Sequence, residues 1–254
     1  MPSSGRCAAT FSRKREKGFA HLGAVIPLEW DRPSFRPVGK FMVSLVRSLI
    51  FAAALIAAPA LGFASDVTTV SPKGEKLAQA LDSMGVESKW IAGAHIDWET
   101  GLPDGRPERM PGRHTHCSAF VAAFAKTLSI YILRPPEHGQ VLLANAQNEW
   151  LAGDGAAAGW RPVSNALEAQ ALANAGLLVV ASYHNHRDDK PGHIAIVRPA
   201  ATTADAIAAV GPIVIQAGTV NNASIPAKAG FAGHIHAWRD NEIDYYAHDV
   251  ADGD

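Results

Sequence analysis

The chain holds two cysteines, Cys7 and Cys117, and eleven histidines among its 254 residues. A thiol attacks carbonyls or binds metals only as a thiolate, so the surroundings of Cys117 decide what it can do. Cys117, Phe120, Val121, Phe124 and Leu128 fall at i, i+3, i+4, i+7 and i+11, the spacing of one helix face that begins at the cysteine. A thiol at that position meets unpaired backbone N–H groups and the positive end of the helix dipole, which favour the thiolate. The same N–H groups can hold the oxyanion of an attacked carbonyl. Such a nucleophile needs a base, and His193 is placed to be one. Pro191-Gly192 ends a loop and His193 opens the run His-Ile-Ala-Ile-Val, with His193, Ala195 and Val197 on one face and Ile194 and Ile196 on the other. The small Ala195 leads us to expect the Cys117 helix against the His193 face.

Metal chemistry is the rival reading. His114 and His116, His184 and His186, and His234 and His236 form three His-x-His pairs. On a strand, residues two apart share a face and can chelate zinc. The first pair runs into the Cys117 helix, and the second lies in a polar loop with Arg187, Asp188, Asp189 and Lys190. His234 and His236 are therefore the alternative metal pair. No HExxH and no paired cysteines accompany them, so neither a metal nor another cofactor is expected. For substrate contacts the candidates are His116 beside the thiol, Trp98 with its flat ring, and Tyr183, which precedes the loop leading to His193.

The elements that must carry these residues are partly legible. Ser71-Pro72 opens a helix that Gly85 ends. Glycines and prolines break up 90–113, leaving room for a short strand over 91–98. Residues 141–150 form another helix, and Asn165 and Glu168 have capping-box spacing for one that Gly176 stops. Runs 177–183, 193–197 and 212–216 read as strands, with a small helix over 203–210 between the last two. HIHAWRD and IDYYAHD, on either side of Asn241-Glu242, read as a hairpin. Helices first and then a mainly antiparallel sheet is an α+β layout in two layers.

With 23 Lys+Arg against 24 Asp+Glu and a net charge of -1, the chain lacks the basic surplus that nucleic-acid partners demand. Residues 42–64 read as a secretory signal peptide, with Arg47 in its start, an apolar run to Leu61, and small Gly62 and Ala64 near the cut. The run is too short for a membrane anchor. Residues 1–41 have no clear period and read as an extension ahead of a start at Met42. The expected mature chain, 65–254, is one domain with a single cysteine, acting in an oxidising compartment.

HCSAFVAAF (116–124) followed by GHIAIV (192–197) resembles the papain-like cell-wall hydrolases of the NlpC and CHAP types, the latter named as cysteine, histidine-dependent amidohydrolases and peptidases. In those families a Cys-Ser begins a helix and a Gly-His opens a strand. The resemblance covers residues 113–216. It implies a papain-like fold, Cys117 as nucleophile, and His193 as general base and then acid. A third polar residue on the next strand would orient the ring. Alternation along PIVIQ makes Gln216 the first candidate, with Asn221 and Asn222 as alternatives. The implied reaction is thiolate attack on a peptidoglycan amide, in a stem peptide or at the sugar–peptide link, by a periplasmic or secreted monomer that needs no metal. The opposing reading is an inactive secreted binding module on the same scaffold.

Overall fold

Short sequence signals set the helix ends. In the computed structural model, which describes residues 67–107 and 114–251, the Ser71 hydroxyl accepts the Gly74 N–H at 3.0 Å and caps helix α1 (Pro72–Ser83). Gly85 turns the chain away at φ +66°, a conformation that costs glycine nothing. The Asn165 side chain accepts the Glu168 N–H at 2.9 Å to start α4 (Ala166–Asn174). The Glu168 carboxylate reaches back to the N–H of Ser164, one residue earlier than the usual capping box. The extension 1–41, the signal segment 42–64 and Cys7 lie outside the described residues.

In chain order the remaining elements are β1 (Val67–Thr68), α2 (Cys117–Thr127), α3 (Leu143–Ala152), β2 (Arg161–Val163), β3 (Leu178–Tyr183), β4 (His193–Val197), β5 (Thr202–Thr203), α5 (Ala204–Val210), β6 (Ile213–Ala217), β7 (Asn221–Pro226), α6 (Ala227–Gly230), α7 (Ile235–Arg239) and β8 (Asp244–His248). Six strands form one sheet in the order β2-β8-β3-β4-β6-β7, with every neighbouring pair antiparallel; β1 and β5 pair separately. The architecture is α+β. Among the described residues no helix is long and apolar enough to cross a membrane.

Alternation along the central strands divides the core in two. Leu178, Val180, Ile194, Ile196 and Ile215 face α1, α2 and α3, whereas Val179, Ala181, Ala195, Val197 and Val214 face α4, α6 and α7. Helices thus cover both faces, where two layers were expected. Helix α2 is buried on all sides from Cys117 to Ala125, as befits a helix with apolar residues around its whole circumference. It also takes the face opposite to the expected one. It packs on Ile194 and Ile196, whose large side chains fill the space between helix and sheet; Ala195 and His193 point to the other layer.

The expected hairpin is not formed. Residues 235–239 are helical, Asn241 closes the turn at φ +56°, and β8 pairs with β2 and β3 instead. Alternating apolar residues over five positions fit either period, and burial of Ala237 against the sheet decides for the helix. The expected strand over 91–98 shrinks to one bridge, Ile96 to Pro103. Strands β2 and β7 carry no apolar alternation because they are the sheet edges.

Loop 184–192, which delivers His193, is pinned from α3. Asn145 accepts the N–H of Gly192 at 2.7 Å and that of Asn185 at 3.2 Å, and donates to the Lys190 carbonyl at 2.9 Å. A Cβ on Gly192 would collide with the Tyr183 carbonyl and lie 2.5 Å from Asn145 Oδ1. Gly192→Ala is therefore expected to destabilise the fold by about 2 kcal/mol, lowering the melting temperature by roughly 5 °C. Gly139→Ala, where nothing lies within 4 Å of the new carbon, should leave thermal unfolding nearly unchanged.

Candidate active site

His193 opens β4 with its ring on the face opposite to α2, where it reaches across to the neighbouring strand β6. Its Nε2 lies 2.7 Å from Gln216 Oε1. The Gln216 amide nitrogen points toward two acceptors, the Val220 carbonyl at 3.5 Å and Asn222 Oδ1 at 3.4 Å. That fixes the amide orientation, so Oε1 must be the acceptor and His193 Nε2 must carry the hydrogen. The other ring nitrogen, Nδ1, keeps its lone pair and has no hydrogen-bond partner among the described residues. Phe231 meets the ring edge-on at 4.7 Å and His234 stacks on it at 5.5 Å.

Cys117 sits at the first position of α2. Its thiol faces the N–H groups of Ser118 and Ile194 and the Thr115 hydroxyl. The N–H of Ile194 belongs to the peptide bond that follows His193, so thiol and imidazole flank one peptide unit. No hydrogen bond joins the two side chains among the described residues. Both residues are only 4 % exposed.

That burial governs the electrostatics. The cost of desolvating an imidazolium lowers the His193 pKa to about 4, although the hydrogen bond to Gln216 pulls the other way. His234 is also lowered to about 4, by burial and then by the neighbouring His193. Burial pushes the Cys117 thiol up, outweighing the N–H groups and the Thr115 hydroxyl that favour its anion. The helix start was expected to leave the thiol acidic. It does supply N–H groups, but desolvation is the larger effect, and at neutral pH the resting pair is thiol and neutral imidazole.

The other expected residues are dispersed. Asn221 does not face the ring: its amide donates to the carbonyls of Val86 and Lys89, both at 2.8 Å, and ties down the turn after α1. Asn222 touches the site only through Gln216. His116 is buried, with Nε2 2.9 Å from the Ala94 carbonyl. Trp98 stacks under Lys126 at the far end of α2, about 13 Å along the helix axis from Cys117. Tyr183 pairs with His193 across β3 and β4 and is 2 % exposed, so its ring supports His234 and His186 instead of lining an open cleft.

The alternative metal pair is not assembled. His234 precedes α7 in a non-helical conformation and His236 is the second residue of that helix, and the two rings are aimed at different partners. The His234 ring lies on His193, and the His236 ring lies on His186 at 4.5 Å. His186 and His236 reach carboxylates of Glu242 and Asp240 at 2.6 and 2.7 Å. Among the described residues no group of three or more His, Cys, Asp or Glu is placed to hold a metal ion.

Sequence reasoning missed Asn145, Gln147 and Phe231, and assigned His234 a different role. Asn145 sets the loop before His193. Gln147, fully buried, donates to the carbonyls of Ser118 and Leu133 at 3.1 and 2.9 Å, binding the start of α2 to α3. Phe231 and His234 together roof the imidazole. The amides Asn145, Gln147 and Asn148, among the apolar residues of α3, were the available signal, since buried amides of this kind need specific partners.

A scan against protein-family models and a search of curated proteins both return no match to this chain.

Two histidines with lowered pKa values, the buried His193 and the half-buried His234, give a linkage with a definite sign. Unfolding restores an ordinary pKa near 6.5, so between about pH 6.5 and 4 the unfolded chain binds more protons. Stability contributed by the neutral rings is full above that window and lost as pH falls through it. The urea midpoint should drop from pH 7 to pH 4, His193 accounting for up to roughly 3 kcal/mol. His193→Gln should flatten this slope, and an equally steep slope in the variant would contradict the assignment.

Proposed function

We propose that the protein is a cysteine-dependent amide hydrolase of papain-like architecture acting on peptidoglycan outside the cytoplasm. The observation that carries this reading is the placement of the Cys117 thiol and the Gln216-held His193 ring on either side of the peptide unit between residues 193 and 194. The order of the residues along the chain and the secretory leader read at 42–64 support the cell-wall substrate.

In this mechanism His193 Nδ1 accepts the thiol proton as the sulfur bonds to the amide carbonyl carbon. Backbone N–H groups at the start of α2 stabilise the oxyanion. The imidazolium, its Nε2–H held by Gln216, then protonates the leaving amine as the C–N bond breaks, leaving a thioester on Cys117. The neutral ring next takes a proton from water, whose oxygen attacks the thioester. Collapse releases the carboxylic acid and returns the proton to sulfur. A ring with so low a pKa is a weak base toward the thiol and a strong acid toward the amine, so its largest contribution falls on leaving-group departure.

Cys117→Ala is expected to abolish release of fragments from purified peptidoglycan, by at least about a thousandfold, with thermal unfolding unchanged. Iodoacetamide should inactivate the wild type, slowly at neutral pH because the buried thiol is protonated, and EDTA should not. Retained turnover in Cys117→Ala, or inactivation by EDTA alone, would overturn the mechanism.

Gln216→Glu gives the second test. A carboxylate beside Nε2 stabilises the imidazolium and raises the His193 pKa, so the neutral base is lost at higher pH. The acid limb of kcat/KM should move upward from about pH 4 by one pH unit or more. An unmoved limb would remove His193 from the reaction.

A further inference from the structure

One short stretch of chain, 230–234, encloses the His193 ring and its hydrogen bond. Gly230 ends α6 against the Gln216 amide, where a Cβ would lie 3.1 Å from Oε1. Phe231 is fully buried and meets the imidazole edge-on. His234 lies ring face to ring face with His193, with 5.5 Å between centroids and 16° between planes. An edge-on phenyl is ordinary core packing, but a second imidazole laid parallel on the first is not required by the core.

Nothing local calls for an inward ring at this position. Ala232, Gly233 and Ile235 are exposed, and His234 is the residue of that run that turns to half-buried depth. It stands at the N-cap of α7 yet makes no side-chain capping bond. Neither of its ring nitrogens has a hydrogen-bond partner among the described residues. Its ring contacts are His193 and Tyr183, the latter at 5.4 Å. Those two residues face each other across β4 and β3, so His234 covers a cross-strand pair whose other sides are packed. The in-plane bond from Nε2 to Gln216 holds one edge of the His193 ring. Rotation about χ2, a soft torsion for an imidazole, is what that single bond leaves open and what a ring on its face obstructs.

We infer that His234 is a positioning residue for His193: laid on the imidazole face, it blocks rotation about χ2 and keeps water from the Nε2–Gln216 bond, so that Nδ1 stays the free, unprotonated edge. Its catalytic consequence rests on the hydrolase reading above, in which Nδ1 takes the thiol proton. The groups that face the two rings are few. Gln216 from β6 is neutral, the Tyr183 phenol from β3 is held neutral by burial, and the Cys117 thiol of α2 lies beyond the shared peptide unit. Charged residues nearby are turned to other partners: Arg239 and Asp240 to each other and to His236, Glu242 to His186, and Lys228 to the Trp238 ring. Desolvation is therefore the main influence on His193, and His234 supplies part of the covering that causes it.

The test follows the His193 ring nitrogens by ¹⁵N NMR in the full-length protein at rest, without substrate. His234→Ala uncovers the ring, and the His193 midpoint should rise from about pH 4 by about one pH unit or more toward 6.5, with both tautomers populated. His234→Phe restores a ring face and should keep midpoint and tautomer close to wild type. Gly233→Ala, where nothing lies within 4 Å of the new carbon, should change neither. The acid limb of kcat/KM on peptidoglycan should rise with the midpoint in His234→Ala and return in His234→Phe. A reciprocal measurement leaves residue 234 intact and decides the matter even if His234→Ala unfolds. In His193→Gln the His234 ring should titrate above its wild-type value of about 4, because the neighbouring charge is gone. An unmoved His193 in a folded His234→Ala, equal displacement by Ala and Phe, or an unmoved His234 in His193→Gln would each overturn the inference. These readings at rest are independent of cleavage. If Cys117→Ala still cleaves, the hydrolase reading falls and the NMR result stands; if His193 ignores His234→Ala while Cys117→Ala is inactive, only the role of His234 is lost.

Discussion

The packing of helix α2 on the face of β4 made by Ile194 and Ile196 is the constraint on which the rest depends. Nine consecutive buried residues, Cys117 to Ala125, press the helix into the sheet, and at roughly 1.5–3 kcal/mol for each large apolar side chain this contact outweighs any single polar interaction nearby. Because the helix begins at Cys117, the same packing drives the thiol against the backbone at the start of β4. His193, the first residue of that strand, necessarily projects to the other layer, where β6 supplies Gln216 and the α6–α7 segment supplies Phe231 and His234. The site is thus built around a strand end, with one group from each side of the sheet meeting at a single peptide unit.

Burying the thiol and the imidazole has an electrostatic consequence. A surface thiol–imidazole pair can rest as an ion pair, but here both charged forms are penalised by desolvation and only partly compensated by N–H groups and by the Gln216 carbonyl. In the proposed mechanism charge then develops only during the reaction. The polar residues that survive burial each serve position: Asn145 binds the loop ahead of His193, Gln147 binds the start of α2, and Gln216 fixes which ring nitrogen carries the proton.

Much of this was readable from residue types and spacing. Cys117 at a helix start, His193 at a strand start, the caps at Ser71 and Asn165, and the placement of Gln216 by alternation all depend on local patterns. The choice of sheet face by α2 did not. It is settled by volume, since the larger Ile194 and Ile196 fill the gap better than Ala195, and no periodicity encodes that comparison. Residues 235–239 show the same limit at shorter range, for a five-residue run satisfies both helical and strand spacing until Ala237 finds its neighbours. Asn145 and Gln147 escaped notice because their partners are backbone carbonyls and N–H groups far along the chain. The acidity of the thiol was misjudged because the helix start is visible in sequence and the depth of burial is not.

The arrangement at the start of β4 is tested most directly by the ring nitrogens of His193, followed by ¹⁵N NMR of the histidine-labelled protein across pH. The account requires a neutral ring protonated at Nε2, bonded to Gln216, that takes up a second proton only near pH 4. A ring protonated at Nδ1, or one that titrates near 6.5 like a solvated histidine, would contradict it.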